Sequence, residues 1–288
     1  MNKSINYKME CSHRGKPVVL NDKVLYSSFP ISKTLFDKEF LEEIKNNDKE
    51  IKLNEINSSG YRSDEFIKTH NGHHVLFSGC SYTFGSGMLI DEVWSKRLYN
   101  MISRDKVCSG YFNLGVQGSS AINQITDIFK YCETYGNPDC IFLNIPDLYR
   151  FYTFDLDDNG VYDGWYDEKS LNILQVLNFQ YYLMLDQYCK SKNIKLFCTS
   201  WCIIGELKTD KFSKNIQKFN SFYKMNFFNI ASHVLLYKKN NKDDLYAELA
   251  RDDGHLGNAY HEYWSLFMYG KYLSFYEKYK EYNDYSWD

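Results

Sequence analysis

The chain has 288 residues, of which 44% are hydrophobic, and it carries a formal net charge of -3. This length and composition suffice to bury a large core, whereas the slight acidic excess provides no long-range attraction for nucleic acid. No apolar run approaches the roughly 20 residues that cross a bilayer, and the polar amino terminus lacks the apolar core of a secretory signal. We therefore expect a soluble cytoplasmic protein with neither nucleic-acid nor membrane partners.

The first 72 residues carry few periodic signals apart from a helical pattern at 36–47. From His73 onward, short apolar runs alternate with longer amphipathic stretches. The apolar runs are predicted to be strands, at 74–79, 110–115, 139–145, 194–200 and 233–237. The amphipathic stretches are predicted to be helices, at 91–103, 120–136, 170–193, 213–231 and 259–282. Asp91 is the predicted N-cap of the first helix, and Ser119 or Ser120 that of the second.

Near-continuous apolar strands separated by helices are typical of a parallel sheet that is covered on both faces. The predicted fold class is therefore α/β, a three-layer α/β/α sandwich with a central, mostly parallel five-stranded sheet. Residues 1–72 are interpreted as an N-terminal extension that packs on the core. Residues 73–288 are interpreted as the main domain, with an aromatic hairpin insertion near 150–168. Ligands of such folds bind at the carboxyl ends of the strands, so residues that follow a strand are the first candidates for a site.

Polar groups follow three of the predicted strands. Ser81 comes after the first strand, in a turn where Gly79 permits a tight backbone path and lets the hydroxyl project. The second strand ends at Gly115, in a turn into a helix whose free N–H groups can face an anion. The third ends near Asn144, whose side-chain amide can donate towards the same point. A hydroxyl surrounded by such donors is suited to acyl transfer.

A histidine near the carboxyl terminus completes this set. His255 follows two aspartates and a glycine in the stretch Ala250-Arg251-Asp252-Asp253-Gly254-His255. An aspartate three residues before a histidine in such a turn can hold one ring nitrogen while the other faces a nucleophile. Asp252 has this spacing, and Asp253 competes with it for the orienting role.

The order of these segments resembles a known family. GCSYTFG (79–85), NLG (113–115), LN (143–144) and DDGH (252–255) resemble the four blocks of the SGNH/GDSL hydrolases, in the same order and over residues 74 to about 280. INSSGYRSDEF (56–66) resembles a segment often found just upstream of the first block. ARDDGHLG (250–257) resembles the final block of virus- and phage-encoded members, which suggests such an origin for the chain. The resemblance implies the SGNH-hydrolase, flavodoxin-like type of sandwich, serine esterase activity of the acetylesterase type, and no cofactor or metal.

The resemblance also assigns roles by position. It makes Ser81 the nucleophile, His255 the general base and Asp252 the residue that orients the imidazole, since the family spacing favours Asp252 over Asp253. The three oxyanion donors that it implies are the backbone N–H groups of Ser81 and Gly115 and the side chain of Asn144. The chain departs from the family at Cys80 and Ile145, where many members have aspartate; neither position transfers a proton.

Aromatic residues indicate the substrate class. The chain is 18% aromatic, with 26 tyrosines, and the insertion after the third strand contains Tyr152 and Trp165. This insertion is predicted to overhang the strand ends as a substrate-binding flap, with Tyr82 and Trp201 as further contacts. Aromatic rings offer flat apolar faces to a sugar. The predicted function is hydrolysis of a small acyl ester, such as an O-acetyl group on a carbohydrate, through an acyl-enzyme on Ser81. The alternatives are a non-catalytic carbohydrate-binding protein on the same fold and an O-acyltransferase.

Other reactive groups are interpreted as structural. The loop from Asp155 begins like a calcium site, but Tyr166 stands where the bidentate glutamate belongs, so a hairpin turn is favoured. His73 and His74 are neighbours at the start of a strand, so they are expected to point to opposite faces and cannot share a metal ion. The Cys80 side chain is expected to turn towards the core, and all eight cysteines are interpreted as reduced hydrophobic residues.

Overall fold

Two sheets organise the computed structural model, which describes residues 18–20, 23–26, 54–146, 148, 150, 168–201, 227–229, 250 and 255–283. The smaller sheet is antiparallel and consists of β1 (Val18–Leu20), β2 (Lys23–Tyr26) and β3 (Asn54–Glu55). The larger one contains β4 (Val75–Ser78), β5 (Phe112–Asn113), β6 (Cys140–Ile145), β7 (Lys195–Ser200) and β8 (Phe227–Asn229). Its strand order is β5-β4-β6-β7-β8, and every neighbouring pair is parallel.

The α/β class, with a mostly parallel sheet and helices, is confirmed. Strands β4, β6 and β7 fall within the predicted runs, because strands that are buried on both faces are continuously apolar. Strand β8 lies inside the segment 213–231, which was predicted to be a helix, so that prediction is wrong at residues 227–229. A three-residue strand is too short to show a period of its own. The predicted strand at 233–237 and the predicted helix at 36–47 lie outside the described residues.

The helices within the described residues are α1 (Ser81–Phe84), α2 (Trp94–Asp105), α3 (Ala121–Tyr135), α4 (Glu168–Ser191) and α5 (Asn258–Asn283). Asp91 does not cap α2, because it lies in a 3-10 turn and Val93 is the N-cap residue. Ser120 is the N-cap residue of α3, but its hydroxyl accepts no hydrogen bond from a helix N–H. It donates instead to the Asn123 side-chain oxygen. Among the described residues, no helix is both long enough and apolar enough to cross a membrane.

Helices pack on both faces of the larger sheet. On one face, α3 and α4 cover a hydrophobic cluster that includes Leu76, Ile141 and Leu196. On the other, α2 and α5 cover a cluster that includes Phe142 and Phe197. Successive side chains of a strand point to opposite faces, so β4, β6 and β7 each contribute to both clusters.

The segment before β4 forms a turn that directs two side chains inwards. The Asn57 side-chain oxygen accepts hydrogen bonds from the N–H groups of Ser59 and Tyr61, both at 3.0 Å. Gly60, between them, has a φ of 84°, a conformation that favours glycine. Tyr61 then enters the hydrophobic core, and Arg62 is buried beside the carboxyl end of the sheet.

The histidines at the start of β4 point to opposite faces, which confirms that prediction. A His74 ring nitrogen lies 2.8 Å from the Tyr131 hydroxyl on α3, whereas a His73 ring nitrogen lies 3.2 Å from the Tyr272 hydroxyl on α5. The His70 ring stacks on His74 at 3.5 Å. All three lie at the amino end of the strand, opposite the predicted site.

Candidate active site

Ser81 begins the short helix α1, three residues after the end of β4. The backbone path from β4 to α1 depends on Gly79, because a Cβ at that position would overlap Thr83 Oγ1 and lie 2.9 Å from Asn144 Cβ. Only glycine therefore lets the turn pass so close to β6. The side chain of Cys80 points into the hydrophobic cluster, as predicted, and Ser81 is 6% exposed.

Arg62 holds the carboxyl end of α1. A helix of a single turn has no stability of its own, so its geometry must come from its surroundings. The Arg62 guanidinium donates to the carbonyl oxygens of Phe84, Gly85 and Met88, at 3.1, 2.8 and 3.0 Å. Burial lowers the pKa of Arg62 to about 10. Within the described residues no carboxylate forms a salt bridge with Arg62, so carbonyl dipoles supply its direct contacts, while the charges of Glu92 and Asp91 stabilise it from a greater distance.

Asn113, the last residue of β5, holds the same helix from the other side. Its amide group donates to the Thr83 carbonyl oxygen at 2.9 Å and to the Tyr111 hydroxyl at 3.0 Å. Its oxygen accepts the N–H of Gly115 at 2.8 Å. Asn113 therefore joins the end of β5, the turn that follows it and α1 into one hydrogen-bonded unit.

This last bond corrects the prediction for Gly115. Its N–H is already engaged by Asn113, so it is not a free oxyanion donor. Gly115 instead allows a close approach, because a Cβ there would lie 2.6 Å from the backbone nitrogen of Phe84. The N–H groups of Val116 and Ser119 are also engaged, by the carbonyl oxygens of Gly79 and Val116.

Asn144 lies next to this turn, near the end of the central strand β6. It is fully buried, and Gln124 donates to its backbone carbonyl oxygen at 3.2 Å. Its side-chain nitrogen lies 3.6 Å from the Cys80 sulfur, whereas its side-chain oxygen has no hydrogen-bond partner among the described residues. The amide is therefore close to the Ser81 turn, as the prediction requires, and its orientation depends on few contacts.

His255 lies beside the same turn although it is distant in sequence. Its ring packs edge-on against the Tyr82 ring, with the centroids 5.0 Å apart, and Tyr82 is the neighbour of Ser81. Its carbonyl oxygen accepts the N–H of Ala250 at 2.8 Å, which closes the loop that precedes α5. Asp252 and Asp253, the two candidates for orienting the imidazole, lie outside the described residues.

Tyr82 and Trp201 are close together, but Tyr82 is not an open platform. Their rings stack at 4.7 Å, and the Tyr82 side chain is only 6% exposed. Trp201 is half-buried and packs against the cluster covered by α2 and α5. The other two predicted substrate contacts, Tyr152 and Trp165, lie outside the described residues.

His261 is also buried near this site. The N–H of Trp94 donates to its Nδ1 at 3.0 Å, so the neutral ring carries its proton on Nε2. Burial lowers the pKa of His261 to about 3, so the ring is neutral at pH 7. Its Nε2 has no hydrogen-bond partner in the part of the chain that the structure describes. His261 shapes the wall behind Tyr82, whose ring lies 6.3 Å from its own.

Sequence reasoning missed Arg62 and Asn113 as parts of the site. The signals were the segment 56–66, which contains Arg62, and the NLG block, which contains Asn113; neither shows that the arginine will be buried or what the asparagine will bond. Within the described residues, no group of three or more His, Cys, Asp or Glu side chains is arranged to hold a metal ion. A hydroxyl, an imidazole and a carboxamide at one edge of a parallel sheet are groups that can perform acyl transfer. Comparison of the chain with protein-family models and with curated proteins finds no match.

Proposed function

We propose that this protein is a serine hydrolase of the SGNH type that cleaves a small acyl ester through an acyl-enzyme on Ser81. The observation that carries the proposal is the packing of the His255 ring against Tyr82, the residue next to Ser81. This contact joins segments from opposite ends of the main domain at the carboxyl edge of the sheet, where Asn144 also lies. The proposal includes the three-layer, five-stranded sandwich of that family as the scaffold, with residues 73–288 as the hydrolase domain.

In the proposed reaction, Ser81 Oγ attacks the ester carbonyl carbon while His255 accepts the hydroxyl proton. The tetrahedral intermediate collapses, the C–O bond to the alcohol breaks, and His255 returns the proton to the departing alkoxide. A water molecule, deprotonated by His255, then attacks the acyl-enzyme, the bond between the acyl carbon and Ser81 Oγ breaks, and His255 returns the proton to Ser81 Oγ as the acid leaves. Asp252 is the proposed partner that orients the imidazole. The reaction needs no cofactor.

The proposed oxyanion donors are the Ser81 N–H, the Asn144 side-chain nitrogen and one N–H of the turn that follows β5. Gly118 replaces Gly115 as the third donor in this proposal. Its N–H has no acceptor among the described residues, its φ is 70°, and a Cβ there would meet nothing within 4 Å. An N–H that no acceptor engages is available to an incoming oxygen.

The burial of Ser81, which is 6% exposed, supports a small acyl group, because a bulky group finds little room beside a buried residue. The proposed alcohol part of the ester is a carbohydrate, and its support is the pair of stacked rings, Tyr82 and Trp201, beside the site.

The test is hydrolysis of an aryl acetate and labelling by a fluorophosphonate probe, with the labelled residue identified by mass spectrometry. Wild-type protein should turn over the ester and be labelled at Ser81, whereas Ser81→Ala should do neither. Ser78→Ala is the matched control, since it removes a buried hydroxyl three residues earlier and should leave both signals intact. Equal ester hydrolysis by wild type and Ser81→Ala would refute the assignment.

One observation favours a second candidate, a carbohydrate-binding protein without turnover. The Ser81 hydroxyl has no hydrogen-bond partner among the described residues, so its proton is not shared with His255 in this state. Catalytic hydrogen bonds often tighten only when a substrate binds. A protein that binds acetylated sugars, but resists the probe and releases no acetate, would support the second candidate. Transfer of the acetyl group to an added sugar, in place of water, would identify an O-acyltransferase.

A further inference from the structure

A row of polar side chains lies above a row of aromatic ones on one face of the sheet. The rings of Phe77, Phe142 and Phe197 stack side by side across β4, β6 and β7, with centroids 5.4 and 4.9 Å apart. Two residues further along each strand, on the same face, come Gly79, Asn144 and Thr199. Asn144 and Thr199 are register partners, so their side chains are direct neighbours.

Thr83 occupies the place of the side chain that Gly79 lacks. A Cβ on Gly79 would overlap Thr83 Oγ1 and lie 2.7 Å from Thr83 Cβ, and the same point is 2.9 Å from Asn144 Cβ. The Asn144 carboxamide is therefore flanked by two threonine side chains, Thr83 from α1 and Thr199 from β7.

All three members of this row are fully buried. Thr83 Oγ1, Asn144 Oδ1 and Thr199 Oγ1 each have no hydrogen-bond partner among the described residues. A buried polar atom without a partner destabilises a fold, so three in a row suggest that they serve one another. The chemistry is complementary, because a hydroxyl can donate and the amide oxygen can only accept.

We propose that Thr199, assisted by Thr83, is a positioning residue that orients the Asn144 carboxamide. Its hydroxyl donates to Asn144 Oδ1, directly or through one water molecule. With the oxygen held on that side, the amide nitrogen faces the Ser81 turn and can donate to the carbonyl oxygen of the ester. An amide that is not held can turn over and present its oxygen, which would repel the developing negative charge. This inference rests on the proposed function and goes beyond it by assigning Thr199 a role.

Thr199→Val is the decisive variant, since it removes the hydroxyl and preserves the shape of the side chain. We expect kcat for an aryl acetate to fall at least 10-fold while KM changes less than 3-fold, because donation to the oxyanion matters mainly in the transition state. Thr199→Ser keeps the hydroxyl and should restore kcat to within 3-fold of wild type. Ser78→Ala is the matched control: its hydroxyl is also buried without a partner at a strand end, but on the opposite face, so kcat should not change.

Rescue by the conservative variant separates this role from a structural one. The proposed hydroxyl makes one buried hydrogen bond, so Thr199→Val should lower the unfolding midpoint slightly, and Thr199→Ser should restore both the midpoint and kcat. Wild-type kcat in Thr199→Val would overturn the proposal. A parallel loss of activity and stability that Thr199→Ser does not rescue would overturn it as well.

A second measurement remains informative if wild-type protein has no esterase activity. In protein labelled with ¹⁵N-asparagine, the Asn144 side-chain amide is identified by its loss in Asn144→Asp. Its hydrogen exchange should be slow in wild type and in Thr199→Ser, and at least 10-fold faster in Thr199→Val. Equal exchange in all three would overturn the positioning role, whereas absence of turnover with the expected exchange pattern would refute only the proposed function.

Discussion

Replacement of Gly79 by alanine is expected to damage both the fold and the site, because the new methyl group has no room. Its Cβ would overlap Thr83 Oγ1, and it would lie 2.7 Å from Thr83 Cβ and 2.9 Å from Asn144 Cβ. Carbon atoms in contact are normally about 3.5 to 4.0 Å apart. The neighbouring groups must therefore move apart by about 1 Å.

Neither neighbour moves freely. Thr83 lies on α1, whose carbonyl oxygens are held by Arg62 and Asn113, and Asn144 lies on β6, which is paired on both sides. Overpacking of a core costs about 1–3 kcal/mol. Misplacement of reacting groups by about 1 Å lowers turnover about 100-fold. We expect Gly79→Ala to lose stability and ester hydrolysis by these amounts.

Gly270→Ala is the matched control. Gly270 lies inside α5, and a Cβ there would meet nothing within 4 Å. Alanine is the better helix former, so this variant should gain about 0.5–1 kcal/mol and keep full activity. Urea unfolding, followed by circular dichroism, and turnover of an aryl acetate measure both effects. A Gly79→Ala protein that unfolds at the wild-type urea concentration and keeps wild-type turnover would refute the packing argument.

Three further predictions concern the surroundings of the site. Arg62→Lys should lower the free energy of unfolding by about 2 kcal/mol, because a single ammonium nitrogen replaces the two guanidinium nitrogens that bond the three carbonyl oxygens. An unchanged urea midpoint would contradict this role of Arg62. Asn144→Ala should lower kcat by about 100- to 1000-fold, provided that the amide is an oxyanion donor, and an unchanged kcat would remove it from that role. Burial lowers the pKa of His74 and of His261 from 6.5 to about 3. As the pH is lowered, these two histidines therefore become protonated near pH 6.5 in the unfolded chain but only near pH 3 in the folded one. Between these pH values the free energy of unfolding should decrease with decreasing pH, by up to about 1.4 kcal/mol per pH unit for each histidine. Urea midpoints that stay constant from pH 7 to 4 would argue against two buried neutral rings.

The elements that could be predicted are those whose signal is local. Buried strands are continuous apolar runs, so β4, β6 and β7 were visible, and the long amphipathic helices were visible from their period. The capping role assigned to Asp91 failed because Glu92 reaches back to the Leu89 N–H and forms a 3-10 turn instead. The prediction for residues 227–229 was wrong because a strand of three residues is too short to show an alternating pattern.

The site divides in the same way. Ser81, Asn144 and His255 could be named as candidates because their residue types and their positions, after strands or in a glycine turn, suit the acyl transfer that we propose. The role of Gly115 was wrong because availability of an N–H depends on a partner, here Asn113, that pattern does not reveal. Arg62, Thr83 and Thr199 resemble ordinary surface or strand residues until their burial is known.

By itself, the sequence determined where the strands end, and therefore which polar residues gather at one edge of the sheet. Only the tertiary structure decided which of those groups are engaged and which are available, and which cation and hydroxyls are buried among them. The physical reason is that hydrogen-bond partners and burial come from segments far apart in the chain, whereas residue patterns report only on near neighbours.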